Sequence, residues 1–246
     1  MLKENTLFGV RDKIAESITL LREHESHDGY YLAFSGGKDS IVIKQLAIEA
    51  GVKFDAHYSV TTIDPPDLVY YIRKHHPDVI FEHPEKPFLI KLVEKGFPLR
   101  QARWCCELYK ERGGDGRWVM TGIRWEESSA RGKRHAVEPD NRNKKLGFVH
   151  PIINWASDEV WQFIRERKLP YCRLYDEGWT RIGCIACPFA SSHIRRRELD
   201  RYPGIENAFR RAFRILWEKG ENENRKWKGR WSSGDDMFEW WIGGKR

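Results

Sequence analysis

Short apolar runs alternate along the chain with longer stretches in which apolar residues recur every three or four positions. The short runs are typical of buried strands, and the longer period is typical of amphipathic helices. The pattern predicts strands at residues 29–34, 52–60, 78–83, 117–123 and 148–153. It predicts helices at residues 7–25, 39–50, 66–75, 88–95 and 157–168. Because strands and helices alternate, we expect an α/β fold with a parallel twisted sheet and helices on both faces.

The pattern changes in the C-terminal part of the chain. Residues 171–190 are aromatic and loop-like, residues 195–219 form a long basic helical stretch interrupted at Pro203, and the Trp-rich tail carries no clear period. We place a soft boundary near Pro151. This gives an α/β nucleotide-binding domain over 1–150 and a mostly helical or irregular region over 151–246, expected to pack on the first as one unit.

The composition narrows the class of protein. The chain is 40% hydrophobic, with 11 Trp, 12 Phe and 9 Tyr, which excludes a disordered polymer. The formal charge of +7 suits a polyanionic partner, either a nucleotide or a nucleic acid, although a generic basic protein has the same balance. The sequence lacks both the long apolar run of a membrane span and the apolar core of a signal peptide. We therefore expect a cytoplasmic protein with no membrane partner.

A glycine turn, SGGKDS at residues 35–40, joins the first predicted strand of the sheet to the helix that follows it. Gly36 and Gly37 let the backbone come close to a ligand, and successive N–H groups at a helix N-terminus form an anion site. Lys38 adds a positive charge, and Ser35 and Ser40 add hydroxyl donors. The Walker A and dinucleotide glycine patterns are both absent. A phosphate site is the prediction, and an ordinary turn is the alternative.

The cysteines form a second informative feature. Cys105 and Cys106 are adjacent, and Cys184 and Cys187 form a C-x-x-C pair, so the two pairs together predict one four-thiolate site. Adjacent cysteines are unusual as ligands in zinc sites, but they occur as ligands of iron–sulfur clusters. A zinc site, a redox-active cysteine pair and buried free cysteines remain alternatives. Five cysteines without a secretory signal argue against disulfides. Cys172 is expected to be a buried small side chain, with a role in sulfur transfer as the alternative.

These segments resemble a known family. SGGKDS is similar to the PP-loop of the ATP pyrophosphatase and sulfonucleotide reductase superfamily, which has an adenine nucleotide alpha hydrolase-like, Rossmann-like fold. RWCCELYK and RIGCIACPF resemble the CC…CxxC arrangement of [4Fe–4S] adenylyl-sulfate reductases and of phosphoadenylyl-sulfate (PAPS) reductase-like proteins. PIINWASDEVWQFIRERKLPYCRLYDEGW is similar to the tryptophan-containing helix and following segment of that family. The resemblance covers residues 30–201 and implies a nucleotide-dependent enzyme.

The resemblance also implies roles for particular residues. Residues 35–40 would hold the nucleotide phosphates with Mg²⁺, with Lys38 stabilising developing charge and Asp39 orienting the loop or the metal. Asp64, at the end of the second strand, and the arginine pair Arg124 and Arg131 would add nucleotide contacts, a solvated loop being the alternative for the arginines. The cysteines Cys105, Cys106, Cys184 and Cys187 would hold a [4Fe–4S] cluster.

The chain departs from the family at one point. Reductases of this family attack sulfur with a cysteine in a Glu-Cys-Gly type motif near the C-terminus, and here no cysteine follows Cys187. Members with an intact S-G-G-x-D-S loop generally use ATP. Together these features favour an enzyme that cleaves ATP between the α and β phosphates and adenylates an acceptor. Sulfur is then transferred to that acceptor, for which nucleic acid is one candidate.

Two other functions stay open. The chain could be an adenylyl-sulfate or PAPS reductase with an atypical nucleophile, either Cys172 or the thiol of a partner, or a non-enzymatic metal-stapled module that binds nucleic acid. The partners expected are an adenine nucleotide, a nucleic-acid acceptor and a sulfur- or electron-donor protein, with a homo-oligomer left open. The C-terminal arginines and the tryptophans at 227, 231, 240 and 241 fit either phosphate and base contacts or packing on the core, and packing is favoured for the tryptophans.

Overall fold

A computed structural model describes residues 2–6, 9–140, 144–223 and 229–243. The chain divides into two compact units, and each is assembled from three stretches of sequence. The first unit comprises Met1–Ser59, Pro66–Glu82 and Gly113–Ile182, and the second comprises Val60–Pro65, His83–Arg112 and Gly183–Arg246.

Eight strands and nine α-helices are found in the described part of the chain. The strands are β1 (Lys3–Thr6), β2 (Gly9–Asp12), β3 (Tyr30–Ala33), β4 (Phe54–Ser59), β5 (Ile80–Glu82), β6 (Trp118–Met120), β7 (Val137–Pro139) and β8 (Gly147–Val149). The helices are α1 (Lys13–Glu23), α2 (Lys38–Ala50), α3 (Pro66–His75), α4 (Phe88–Lys95), α5 (Trp104–Tyr109), α6 (Ser157–Glu166), α7 (Ser192–Arg201), α8 (Pro203–Asn222) and α9 (Gly234–Gly243).

The first unit contains a six-stranded sheet in the order β5-β4-β3-β6-β8-β7. Every neighbouring pair is parallel except β7 and β8, which are antiparallel. The central strand β3 is buried along Tyr30, Tyr31 and Leu32, as expected for a strand of a parallel sheet. The predicted α/β fold with a mostly parallel sheet is therefore confirmed.

The predicted first helix, residues 7–25, is wrong at its N-terminal end. Gly9–Asp12 forms strand β2, which pairs with β1 as an antiparallel hairpin. Asp12 is the N-cap of α1, because its carboxylate accepts hydrogen bonds from the backbone N–H groups of Ile14 and Ala15. The helix therefore begins at Lys13. The start of the predicted range, residues 7 and 8, lies outside the described residues.

The division into units differs from the predicted boundary near Pro151. Residues 151–182 group with the sheet, where the Ser17 hydroxyl of α1 donates to the Pro151 carbonyl at 2.6 Å. The Glu159 carboxylate accepts the Ala156 N–H at 2.7 Å and pairs with the Lys13 ammonium at 2.8 Å. The buried ion pair ties α6 to α1, so the chain after Pro151 continues the first unit.

The second unit has an aromatic helical core. Phe209 and Phe213 of α8 pack against Phe238 and Trp241 of α9. Helix α9 was not predicted. Its Gly234 packs so closely on α8 that an added Cβ would lie 2.3 Å from Arg214 Cα.

The basic stretch of the second unit is two helices, α7 and α8, which meet at Pro203. The arginines of these helices pair with acidic side chains of α8 and α9: Arg196 with Glu206 and Glu239, Arg210 with Glu206, Asp235 and Glu239, and Arg214 with Asp235. These pairs favour the packing interpretation of the arginine-rich face.

The tail tryptophans that the structure describes also pack. Trp231 and Trp241 are buried, and Trp240 packs against the core of the second unit. The fourth, Trp227, lies outside the described residues. Within the described part of the chain, no helix combines the length and the apolar character needed to cross a membrane.

Candidate nucleotide-binding loop and cysteine cluster

The glycine turn forms the connection from β3 to α2 in the first unit. Gly36 has a φ of +70°, in the left-handed region, and a Cβ there would lie 2.6 Å from Ile72 Cδ1. Only glycine fits this position. Gly37 is the N-cap of α2 and has no side-chain cap, so the first turn of the helix presents backbone N–H groups that have no acceptor within the helix.

The two serines close the loop on itself. The Ser35 hydroxyl donates to the Ser40 hydroxyl at 3.2 Å, and the Ser40 hydroxyl donates to the Gly37 carbonyl at 2.8 Å. The loop is thereby held in a compact shape at the positive end of the α2 dipole, which is the geometry of an anion site.

Asp39 is held between two cations. Its Oδ2 accepts from Lys38 Nζ and its Oδ1 accepts from Arg124 Nε, both at 2.8 Å. Arg124 is 3% exposed and also donates to the Trp155 carbonyl at 3.2 Å. Burial alone would lower the pKa of Arg124, but the neighbouring Asp39 carboxylate outweighs burial and raises it. Arg124 also pairs with Glu126 at 3.4 Å, so the positive charges of Lys38 and Arg124 are matched by the carboxylates of Asp39 and Glu126.

Glycine at position 122 makes this arrangement possible. A Cβ at Gly122, just after β6, would lie 3.1 Å from the backbone and Cβ of Asp39. The end of β6 thus comes into close contact with the first turn of α2, which brings Arg124 within reach of Asp39.

The remaining predicted nucleotide ligands are Arg131 and Asp64. Arg131 is in a 3-10 helix, Arg131–Lys133, where its guanidinium pairs with Glu127. Asp64 belongs to the second unit and accepts hydrogen bonds from the Thr61 N–H at 2.7 Å and the Thr61 hydroxyl at 2.8 Å. The structure brings residues 35–40 and Arg124 together. The nucleotide roles of Arg131 and Asp64 stay predictions.

One residue at the loop was not anticipated from sequence. The Lys38 backbone N–H donates to the Tyr175 hydroxyl at 2.9 Å. Tyr175 ends a 3-10 helix, Arg173–Tyr175, that lies 137 residues further along the chain. Only the concentration of aromatic residues between 171 and 179 marked this segment, and that pattern does not indicate which residue it contacts.

The four paired cysteines all lie in the second unit. Cys105 and Cys106 are on α5, and Cys184 and Cys187 lie in the segment before α7; all four are half-buried and free. The pKa of Cys105 is raised, first by its hydrogen bond with Cys106, then by burial, and also by the charges of Cys184 and Cys187. The same hydrogen bond is the main cause that lowers the pKa of Cys106 to about 6. The two pairs are therefore neighbours.

Positive charge surrounds these thiols. The charge of Cys184 is the main cause that raises the pKa of Lys110, and the charges of Asp64 and Cys187 act in the same direction. Arg103 and Lys110 help to lower the pKa of Cys106. These cations favour the thiolate form of Cys106, whereas burial is the main cause that raises the pKa of Cys184.

A metal centre needs several ligand side chains that are placed around one point. Among the described residues, no three or more His, Cys, Asp or Glu side chains are placed as a ready-made ligand group. The two cysteine pairs lie in the same unit but do not form a closed ligand set among the described residues. The donor chemistry fits a cluster, because thiolate sulfurs suit iron–sulfur centres and zinc. The ligand set stays a prediction.

Cys172 belongs to neither pair and is part of the first unit. Its side chain is buried, and burial raises the pKa of its thiol. The prediction of a buried small side chain is confirmed.

Comparisons with known proteins bear on the family. The model of the phosphoadenosine phosphosulfate reductase domain matches residues 29–190. An uncharacterized protein of Methanocaldococcus jannaschii is 32% identical over 224 residues, which cover 86% of this chain and 44% of that protein. The adenosine 5′-phosphosulfate reductase of Oceanobacillus iheyensis is 32% identical over 163 residues, which cover 62% of this chain and 65% of that enzyme. The chain therefore spans less than two thirds of both relatives.

Solved structures share the fold. PAPS reductase from Candida auris matches with a TM-score of 0.53 and 19% identity, covering 69% of this chain and 88% of that one. FMN adenylyltransferase from Candida glabrata matches with a TM-score of 0.51 and 16% identity, covering 70% and 60%. The loop geometry, the sheet order and the match over residues 29–190 agree, and they show that the chain belongs to the phosphoadenosine phosphosulfate reductase domain family.

Proposed function

We propose that the chain is an enzyme that binds the phosphates of ATP at residues 35–40 and adenylates an acceptor. In the first step an acceptor oxygen attacks the α-phosphorus of ATP and pyrophosphate leaves. In the second step a sulfur nucleophile attacks the acceptor atom that carries this oxygen, the bond between that atom and the oxygen breaks, and AMP leaves. The observation that carries this proposal is the loop itself, in which Lys38 and Arg124 flank the open first turn of α2.

The fixed position of Lys38 supports phosphate binding. Lys38 and Asp39 are paired, so the ammonium is fixed beside the helix N-terminus rather than extended into solvent. In this arrangement Lys38 stabilises charge that develops on the phosphates, and Asp39 orients Lys38. Mg²⁺ bound with the nucleotide would neutralise further phosphate charge.

Two proteins of the same fold are consistent with an adenine nucleotide. The Candida glabrata FMN adenylyltransferase was solved in complex with ATP, and the Candida auris PAPS reductase as a phosphate complex. We carry this ligand class over to the present chain as part of the proposal. Arg131 and Asp64 are retained as candidate nucleotide contacts, to be tested separately from the loop.

We further propose that the four paired cysteines hold a [4Fe–4S] cluster, with zinc as the alternative. A cluster of this kind, when bound, supplies electron storage or a fixed charge. Cys105 and Cys106 would be held together on one short helix, α5, and Lys110 and Arg103 would balance the negative charge of the thiolates.

A second candidate function is reduction of adenylyl sulfate or PAPS. The relatives named adenosine 5′-phosphosulfate reductase favour it. Reduction requires a nucleophilic thiol, and a Cys172 thiol that is buried with a raised pKa is a poor nucleophile. A thiol from a partner protein would then be required.

The acceptor in the proposal is nucleic acid, supported by the formal charge of +7. The paired arginines of α8 are not the surface that we assign to it, because Asp235 and Glu239 neutralise them. A sulfur- or electron-donor protein completes the scheme. A homo-oligomer remains open, as does a non-enzymatic, metal-stapled module that binds nucleic acid.

One anaerobic assay separates these functions. The purified protein is incubated in turn with ATP, adenylyl sulfate and PAPS, and released pyrophosphate and sulfite are measured. Pyrophosphate from ATP supports the proposal, sulfite supports the reductase, and neither product supports the non-enzymatic module. Lys38→Met is expected to abolish pyrophosphate release. Lys86→Met, which removes an exposed lysine paired with Glu94 in the second unit, is the matched control.

A further inference from the structure

The geometry points to Tyr175 as a direct phosphate ligand that extends the loop. Its hydroxyl accepts the Lys38 N–H at 2.9 Å, at the first turn of α2. This inference rests on the proposed function, because it needs an anion at residues 35–40. It adds a residue from a distant segment that no loop motif contains.

The hydrogen-bond capacity of the hydroxyl leaves its proton available. A tyrosine hydroxyl has one donor and two acceptor positions. In the described part of the chain, the Tyr175 hydroxyl has one hydrogen bond, in which it accepts from Lys38. The O–H can therefore donate to a phosphate oxygen while the Lys38 N–H keeps its partner.

The surroundings make this O–H a good donor. An N–H at the positive end of a helix polarises the oxygen that accepts it, which strengthens the hydrogen bond that the hydroxyl donates. Burial is the main cause that raises the pKa of Tyr175, and the Asp39 charge acts in the same direction. The phenol therefore stays neutral and protonated at neutral pH, so it attracts an anion instead of repelling it.

The side chain is held in place before a ligand arrives. The Tyr175 ring packs edge-on against Trp161, with ring centroids 5.0 Å apart. A Cβ at Gly37 would lie 3.4 Å from the Tyr175 hydroxyl, so the absence of a side chain there leaves room for the contact. A fixed hydroxyl loses little conformational freedom when it binds phosphate.

The competing interpretation is that Tyr175 blocks the Lys38 N–H and must leave when phosphate binds. The two interpretations predict opposite signs for removal of the hydroxyl. If Tyr175 is a ligand, Tyr175→Phe weakens anion binding. If it is a plug, the same change frees an N–H and strengthens binding.

Isothermal titration with inorganic pyrophosphate and with ATP tests the inference. We expect Tyr175→Phe to weaken pyrophosphate binding about tenfold or more, the effect of losing one hydrogen bond to a charged group. Tyr171→Phe is the control, because Tyr171 also packs edge-on against Trp161 but its hydroxyl donates to Asp176. The affinity of Tyr171→Phe for pyrophosphate should stay within about twofold of the wild-type value. Unchanged or tighter binding by Tyr175→Phe overturns the inference and leaves the proposed function standing.

If the wild-type protein itself does not bind pyrophosphate or ATP, both the inference and the proposed function are overturned. Phenylalanine keeps the ring that contacts Trp161, so the variant is expected to fold, and circular dichroism checks this. If Tyr175→Phe unfolds, NMR of the wild-type protein gives a second test of the position of Tyr175. The Tyr175 ring protons should keep the upfield shift caused by the Trp161 ring when pyrophosphate is bound, and loss of that shift would contradict the inference.

Discussion

Arg124 Nε lies 2.8 Å from Asp39 Oδ1, although the two residues are 85 positions apart in sequence. The pair joins the segment after β6 to the first turn of α2, where the same carboxylate also holds Lys38. Arg124 thus contacts the loop through Asp39, and its predicted role as a nucleotide ligand stays a prediction. This position makes Arg124 important both for the fold of the loop and for its charge.

Removing the arginine should therefore destabilise the protein. Arg124→Ala removes one of the two cations that hold Asp39 and leaves Lys38 as the other, so we expect the free energy of unfolding to fall by about 2 kcal/mol. Pyrophosphate binding should weaken as well. Urea denaturation measures the first effect. Arg131→Ala removes a more exposed pair with Glu127 and should cost less than about 1 kcal/mol. Equal losses in the two variants would contradict this role for Arg124.

Gly36 and Gly51 provide a matched pair for the close approach at the loop. Both have a φ of +70°, but a Cβ at Gly36 would collide with Ile72 and Leu68, whereas a Cβ at Gly51 meets nothing within 4 Å. Gly51→Ala should cost about 1 kcal/mol of backbone strain. Gly36→Ala should cost about 1–3 kcal/mol more and abolish nucleotide binding. Thermal unfolding measures the stability of each variant, and titration with ATP measures its nucleotide binding. Similar results for the two variants would count against the close contact of Gly36 with Ile72 and Leu68.

Acid should destabilise the first unit through His76. Burial, followed by the charge of Lys44, lowers the pKa of this histidine from 6.5 to about 4. The unfolded chain takes up the proton as the pH falls below 6.5, and the folded protein does so only near pH 4. Stability is therefore complete above pH 6.5 and is lost between these values, by about 3 kcal/mol at pH 4.

Denaturation at a series of pH values measures this loss. Replacing the histidine in His76→Gln should reduce the loss between pH 6.5 and 4, because a glutamine does not titrate. Burial is also the main cause that lowers the pKa of His150 to about 4. His150 should therefore account for a further part of the fall in stability with pH. If the stability of His76→Gln falls with pH as steeply as that of the wild type, His76 is not a cause of the acid destabilisation.

The cysteine cluster gives a spectroscopic prediction. Protein purified without oxygen should be brown and contain iron and sulfide, and Cys105→Ala should lose both. Cys172→Ala should keep the iron, because Cys172 lies in the other unit. Iron and sulfide analysis with an absorption spectrum checks this. A colourless protein that contains zinc would show that the thiols hold a different metal.

Much of the fold could be predicted because its signals are local. Helices α3 and α4 have the predicted bounds, since Pro66 begins one and Gly96 follows the other. The strand, turn and helix around residues 35–40 were likewise predictable, because a glycine pair between an apolar strand and an apolar helix is a local signal, and the phosphate role of the loop stays a prediction. The structure places both cysteine pairs in one unit, and their predicted role as a single metal site stays a prediction.

The failures have physical causes as well. The apolar period of α1 seemed to extend back to residue 7, but the side chain of Asp12 caps the helix and forces the preceding residues into a strand. Helix α9 was missed because Gly234 and Gly243 bracket it, and glycine is a poor helix former. Tyr175 could not be assigned to the loop, because a contact over 137 residues leaves no periodic signal in the sequence.

The interleaved course of the chain has a practical consequence. Since each unit draws on three separate stretches, neither can be excised as a continuous piece of polypeptide. A truncation after residue 182 would remove Cys184 and Cys187 and expose the apolar faces of α4 and α5 that had packed on the lost helices. Dissection of this protein into independent halves therefore has to proceed by point substitution and not by cutting.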